Sequence, residues 1–221
     1  MNLSRIAGLL YLPPFVLGPF SLLYVRGELL VPDDAAATAS RVAEHSGLLR
    51  AGSLGEVYLA LTDVVLAALF YLLFRPGNRP LALVTALLRF SWAVVASIAV
   101  VTNLAALRLA AQGDTDGPLL LLNLHEDLLA VGFVAFGAHV ALLGVLGWRD
   151  RVMPRILSIL LGLAGVGYVV HSIVALGWET SPFALLLPAF PAEIGLALWL
   201  LIKGVPNKQT QPTPALVKEY R

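Results

Sequence analysis

Six runs of apolar residues, Ile6–Val25, Leu54–Phe74, Leu81–Leu107, Leu128–Trp148, Ile156–Leu176 and Pro182–Ile202, punctuate the chain at bilayer length. A membrane-spanning helix needs roughly 20 mainly apolar residues at about 1.5 Å of rise each. The shortest run already has 20. Hydrocarbon offers no water to satisfy backbone amides, so only helices or a closed barrel can cross it. Barrel strands of about 9–11 residues are much shorter than these runs. Composition agrees, with 58% hydrophobic and 13% charged residues, against roughly 25% charged in a soluble domain. The reading is an all-α polytopic bundle of six spanning helices over residues 1–205, with lipid supplying the outer surface.

Basic residues set the orientation, because loops rich in Lys and Arg stay cytoplasmic. One side carries Arg5, Arg75, Arg79, Arg149, Arg151, Arg155, Lys203, Lys208, Lys218 and Arg221; the other carries only Arg26, Arg41, Arg50 and Arg108. Both termini are therefore expected in the cytoplasm of a bacterial cell, and the membrane to be its inner membrane. Most acidic residues fall on the opposite side, so the net charge of +1 hides a dipolar molecule. No basic face suggests nucleic acid. With no cysteine there is no disulfide framework or thiolate metal site.

The first run follows Arg5 as a secretory signal would, but Pro13-Pro14 interrupts it and no small-residue cleavage site follows. It is read as a retained helix. In the first outer connection Asp33-Asp34 forms a helix start, after which Ala35, Ala39, Val42 and Leu49 share a face opposite Arg41, Glu44 and His45. That pattern predicts an interfacial amphipathic helix that caps the bundle or covers a pocket mouth. The polar, proline-rich segment 206–221 is expected to be a disordered cytoplasmic tail.

An ionisable side chain at mid-bilayer costs at least about 2.5–3.5 kcal/mol, so each one should face the bundle interior and have a partner. Asp63, Arg89, His139, His171 and Glu193 all fall inside runs. Counted from the outer ends, Asp63 lies nine residues past Leu54, His139 eleven past Leu128 and Glu193 eleven past Pro182, at similar depths. Glu56 shares a face with Asp63, His125 with His139, and Tyr168 with His171. Together they predict a polar track from Glu56, His125 and His171 down to Asp63, His139 and Glu193.

Each group also has a packing interpretation: Asp63 with Arg89 as a register-fixing ion pair, His139 and His171 as interhelical hydrogen-bond partners. Trp92, Trp148, Trp178 and Trp199 read as packing or interface residues, and Ser158 with Gly162, or Gly137 with Ala141, as helix contacts. Pro188 and Pro191 predict a kink in the sixth span just before Glu193, and Pro13, Pro14 and Pro19 break the first. Paired broken helices point to binding sites in transporters.

No catalytic signature is present: no HExxH, GxSxG, Walker loop or GxGxxG. His139, His171, Asp63 and Glu193 have ligand chemistry suited to a divalent ion, but no diagnostic spacing, so no metal or other cofactor is assigned.

Several segments have a familiar pattern: Arg5-Ile-Ala-Gly-Leu-Leu-Tyr11, Ala43-Glu-His-Ser-Gly-Leu-Leu-Arg50, Phe136-Gly-Ala-His-Val-Ala-Leu-Leu-Gly144, the stretch from Pro154 to Tyr168, and Glu193-Ile-Gly-Leu-Ala-Leu-Trp-Leu-Leu-Ile-Lys-Gly204. Over nearly the whole chain they resemble a bacterial family of six-pass proteins catalogued as domain of unknown function 4386. The resemblance implies architecture and no activity. Ala138 and Val145 stand where the family pattern has a larger aliphatic residue and a tyrosine.

Three functions fit these observations. The leading one is binding or transport of a small molecule or ion in an outward-opening polar pocket built on Asp63, His139 and Glu193. The second is an enzyme acting on a lipid or prenyl-type substrate, with His139 as general base. The third is a structural partner subunit whose intramembrane charges specify packing. Substrate and oligomeric state leave no mark in the sequence.

Overall fold

A computed structural model describes residues 2–177 and 183–205, all helical or connecting. The tail at 206–221, together with Trp178, Glu179 and Pro182, lies outside the described residues. Among the described residues nine α-helices follow one another: α1 Leu3–Leu10, α2 Pro14–Pro19, α3 Arg26–Leu29, α4 Ala35–Glu44, α5 Ser46–Phe74, α6 Arg79–Ala111, α7 Gly117–Arg149, α8 Arg155–Gly177 and α9 Ala189–Ile202. Among the described residues five stretches are long and apolar enough to cross a membrane: Leu3–Leu29, taken as one broken element, and α5 to α8. The protein is a transmembrane helical bundle.

Proline chemistry explains the broken first element. Asn2 caps α1 by accepting from the Ser4 amide at 3.3 Å. The helix ends at Tyr11, ahead of Pro13 and Pro14, which offer no amide to continue it. Pro14 then occupies the first position of α2, where a missing amide costs nothing. Past Pro19 the backbone widens into π-helical turns over Phe20–Val25 before α3 resumes. π-Turns of this kind recur at functional sites.

The amphipathic helix is present as α4. Asp34 caps it, accepting from the Ala37 amide at 2.9 Å. Val42 packs with Val25, Leu29, Leu49, Leu107 and Leu122. It caps the bundle end and contributes nothing to the main cavity described below.

Two helices extend beyond their apolar runs, and the last run is divided. Helix α5 starts at Ser46 and α7 at Gly117, each well before its apolar run, because helices continue through polar residues above the lipid. The sixth run is not one kinked span: a 3-10 turn over Phe183–Leu186 precedes α9, which has only 14 residues, about 21 Å of rise. Pro188 is the N-cap of α9 and Pro191 lies in its first turn. Both sit where a missing amide breaks no helical bond, so they start the helix instead of bending it.

Leu54, Ile156 and Ile202 each keep over 70% of their surface exposed, whereas Arg89, His125 and His139 are at most 1% exposed. Apolar groups face outward because the surrounding solvent is hydrocarbon, and close interhelical approach falls to small residues. On α7 and α8 a Cβ placed on Gly165 would collide with the backbone of Ala141 and Gly137, and one on Gly144 with the backbone of Ser158 and Gly162. Gly165→Val should therefore push the helices apart and cost about 1–3 kcal/mol, read as a lowered melting temperature in detergent. Unchanged melting would contradict this packing.

The first and last helices close the bundle. Ser4 Oγ accepts from the Val205 amide at 3.0 Å, which brings both ends of the described bundle to one face. The turns at Gly77 and Asp150 also meet each other. At the opposite end Arg26 on α3 pairs with Glu126 on α7 at 2.7 Å.

Candidate functional site

Helix α6 supplies the hub. Thr85, Arg89 and Trp92 recur at a helical spacing and share its inner face. The Arg89 guanidinium donates Nε to Asp63 Oδ1 on α5 at 3.0 Å, and Nη2 forms a second, short contact to the same oxygen. Trp92 Nε1 donates to the other Asp63 oxygen at 2.8 Å. Remaining Arg89 donors reach Tyr11 Oη at 3.4 Å and His139 Nε2 at 3.1 Å. Tyr11, Phe70 and Phe136 place their rings 4.9 to 5.4 Å from the guanidinium carbon, which favours the buried cation further.

The chemistry of its neighbours fixes the state of His139. Nδ1 lies 2.8 Å from the Thr85 carbonyl, which can only accept, so Nδ1 carries hydrogen. Nε2 must then use its lone pair to accept from Arg89. Both ring nitrogens are committed, and Phe70 stacks on the ring at 5.7 Å.

Glu193, on the second turn of α9, completes the cluster. Tyr11 donates to its Oε2 at 3.1 Å and Tyr168 to its Oε1 at 2.7 Å. The break after α1 turns Tyr11 inward, where its hydroxyl bridges Arg89 and Glu193. Asp63 and Arg89 neutralise each other. Glu193 has two hydroxyl donors and no cation of its own within ion-pair distance among the described residues.

Above this polar floor lies a cavity of about 380 Å³, walled by Phe15, Trp92, Phe133, Phe136, Tyr168 and Phe190 and by Pro14, Gly18, Pro19 and Leu22 of the first element. Asp63, Arg89 and Glu193 line it, but most of the wall is aromatic or aliphatic. Trp92 stacks on Phe133 at 4.4 Å, and Phe133 on Tyr168 at 5.6 Å. Two lining residues on the rim, Leu23 and Phe190, are 67% and 62% exposed, so the cavity opens sideways between the first element and the start of α9.

A second polar cluster lies two turns away along α5. Glu56 Oε1 is 2.5 Å from Ser21 Oγ, and Oε2 lies 3.4 Å from both Asn103 Nδ2 and His125 Nε2. His125 Nδ1 is 3.0 Å from the Ala99 carbonyl. A small void of about 40 Å³, lined by Glu56, Asp63 and Trp92, separates the two clusters.

The structure thus brings Asp63, Arg89, His139 and Glu193 together and sets Glu56 with His125 apart. The predicted single track is two clusters. His171 sits half-buried on α8 and is not among the residues lining the cavity. The divalent-ion set does not assemble, and among the described residues no three His, Asp or Glu side chains converge as metal ligands. Trp92, read as a packing residue, does pack against Phe133 and in addition donates to Asp63, because a buried indole N–H needs a partner. Tyr11 was missed as a site residue; its one sequence signal is its position two residues before Pro13.

A family model described as "Domain of unknown function (DUF4386)" matches residues 6–204. An uncharacterized protein of Archaeoglobus fulgidus is 24% identical over 165 residues, covering 72% of this chain and 88% of its own. No solved structure matches the chain.

Proposed function

This chain belongs to the DUF4386 family, a domain of unknown function, and we propose that it binds a small amphiphilic molecule with a basic head in the cavity between its first and last elements. The observation carrying this reading is Glu193: a buried carboxylate at the floor of an aromatic chamber, held by two tyrosine hydroxyls, with lone pairs to spare. An amine or ammonium head would supply the missing positive charge. Aromatic faces suit such a cation, as in recognition of quaternary ammonium groups. The apolar walls take the tail.

Entry is from the membrane side, past the exposed rim at Leu23 and Phe190. Both rim segments belong to the half of the bundle away from Ser4 and Val205, which is the outer half if the basic loops lie in the cytoplasm. On that charge asymmetry we place both termini on the cytoplasmic side, in a helical bundle we assign to the inner membrane. The lipid-enzyme reading receives no support from His139, whose two nitrogens are already engaged. A purely structural subunit has no use for an open chamber of this size.

The test compares decyltrimethylammonium, decanoate and decanol, titrated into protein in nanodiscs and followed by tryptophan fluorescence, since Trp92 lines the cavity. The ammonium compound should bind saturably and more tightly than the other two. Glu193→Gln should weaken it about tenfold, equivalent to about 1.4 kcal/mol, with melting unchanged. Equal binding of all three heads, or an indifferent Glu193→Gln, would refute the assignment.

A further inference from the structure

At the end of the bundle that holds Ser4 and Val205, the turn from α5 to α6 meets the turn from α7 to α8. The two turns carry five arginines, Arg75, Arg79, Arg149, Arg151 and Arg155, against one carboxylate, Asp150. All five are exposed, and among the described residues no carboxylate lies within ion-pair distance of any of them. Asp150 is folded inward instead: its Oδ2 is buried and abuts Gly77, where an added Cβ would collide with it.

Two further features concentrate positive charge there. Arg79 and Arg155 are the first residues of α6 and α8, and neither helix has an acid in its first turn. A helix N-terminus carries partial positive charge of its own, so a cation placed on it is disfavoured until an anion joins them. Arg151 also holds φ at +53°, a left-handed conformation that suits glycine better than arginine. What arginine offers at that position and glycine lacks is a guanidinium.

The surroundings indicate which anion. Arg79 Nε donates to the Tyr71 hydroxyl at 3.3 Å, and the Arg75 guanidinium carbon lies 5.9 Å from the centre of the same ring. Arg155 covers Trp148 at 5.6 Å. Tyr and Trp at the ends of spanning helices mark the border between lipid tails and headgroups. Next to these arginines Val145 on α7 and Ile156 and Ile159 on α8 are 48 to 74% exposed, a surface for an acyl chain. We propose that the two touching turns form a headgroup site for an anionic phospholipid, its phosphate held by the arginines and one acyl chain lying along Trp148, Ile156 and Ile159. The planar fork of arginine matches phosphate oxygens two at a time, and basic seats between membrane helices take lipid headgroups in this way. The site lies in the other half of the bundle from the rim at Leu23 and Phe190.

Native mass spectrometry of the full chain in detergent micelles tests this with dioleoylphosphatidylglycerol, dioleoylglycerol, which has the same tails and no phosphate, and glycerol 3-phosphate, which has a phosphate and no tails. The phosphatidylglycerol should bind saturably and at least about tenfold more tightly than either of the others. Arg151→Gln combined with Arg155→Gln should remove that preference, whereas Arg108→Gln, at the opposite end of the bundle, should preserve it. Equal binding of phosphatidylglycerol and dioleoylglycerol overturns the proposal, as does tight binding of glycerol 3-phosphate, which would make this a site for a soluble phosphate. A preference that survives the double substitution, or that Arg108→Gln abolishes, overturns it as well. The comparison of the three probes on wild-type protein decides the matter even if the variants do not fold. None of the probes carries a cation, so the result is independent of Glu193 and of any ligand in the aromatic cavity.

Discussion

Arg89→Met is expected to destabilise the bundle by about 3–5 kcal/mol, the cost of leaving a buried charge without its partner. Arg89 is the hub of the interior: its removal takes away at once the cation facing Asp63, the donor to the His139 lone pair and the donor to the Tyr11 oxygen. The diagnostic measurement is a double-mutant cycle, because an ion pair in a low-dielectric interior is costly to break and cheap to replace. Asp63→Leu combined with Arg89→Met should recover part of the loss, leaving Trp92 Nε1 and His139 Nε2 as the uncompensated groups. Unfolding in detergent reports both. If the two substitutions simply add, Asp63 and Arg89 are not coupled and the central cluster has been misread.

Gly18→Phe is expected to abolish alkylammonium binding, by about a hundredfold or more, equivalent to about 2.7 kcal/mol, without lowering stability. Gly18 lies in the middle of the stripe Pro14, Phe15, Gly18, Pro19 and Leu22 that forms one wall of the cavity. A Cβ built on it meets no atom within 4 Å. The new ring therefore grows into open space bordering the cavity and occupies the volume meant for a ligand. Decyltrimethylammonium titrations of the variant, alongside its melting curve, check both halves of the statement. Retained binding would place the ligand elsewhere.

Hydropathy made the bundle legible because the lipid's thickness is written into the length of each apolar run. It could not place the starts of α5 and α7, since a helix does not stop where lipid does: Asn123, His125 and Glu126 continue α7 beyond its apolar run. It also overestimated the last span, because Pro188 and Pro191 in an apolar run look the same whether they bend a helix or begin one. Within the site, Asp63, Arg89, His139 and Glu193 stood out by being ionisable where the bilayer penalises charge. Tyr11 and Trp92 did not, since an aromatic ring in an apolar run reads as core. Their polar ends matter here only through partners far away in sequence, such as Tyr11 and Glu193, which are 182 positions apart.

That separation has a consequence for the order of synthesis. Tyr11 enters the membrane long before its carboxylate partner on α9, which follows it 182 positions later. The Ser4 to Val205 bond is later still. The first element must wait, with its hydroxyl pointed at nothing permanent, until α9 has followed it into the bilayer, so the chamber cannot exist before that helix arrives.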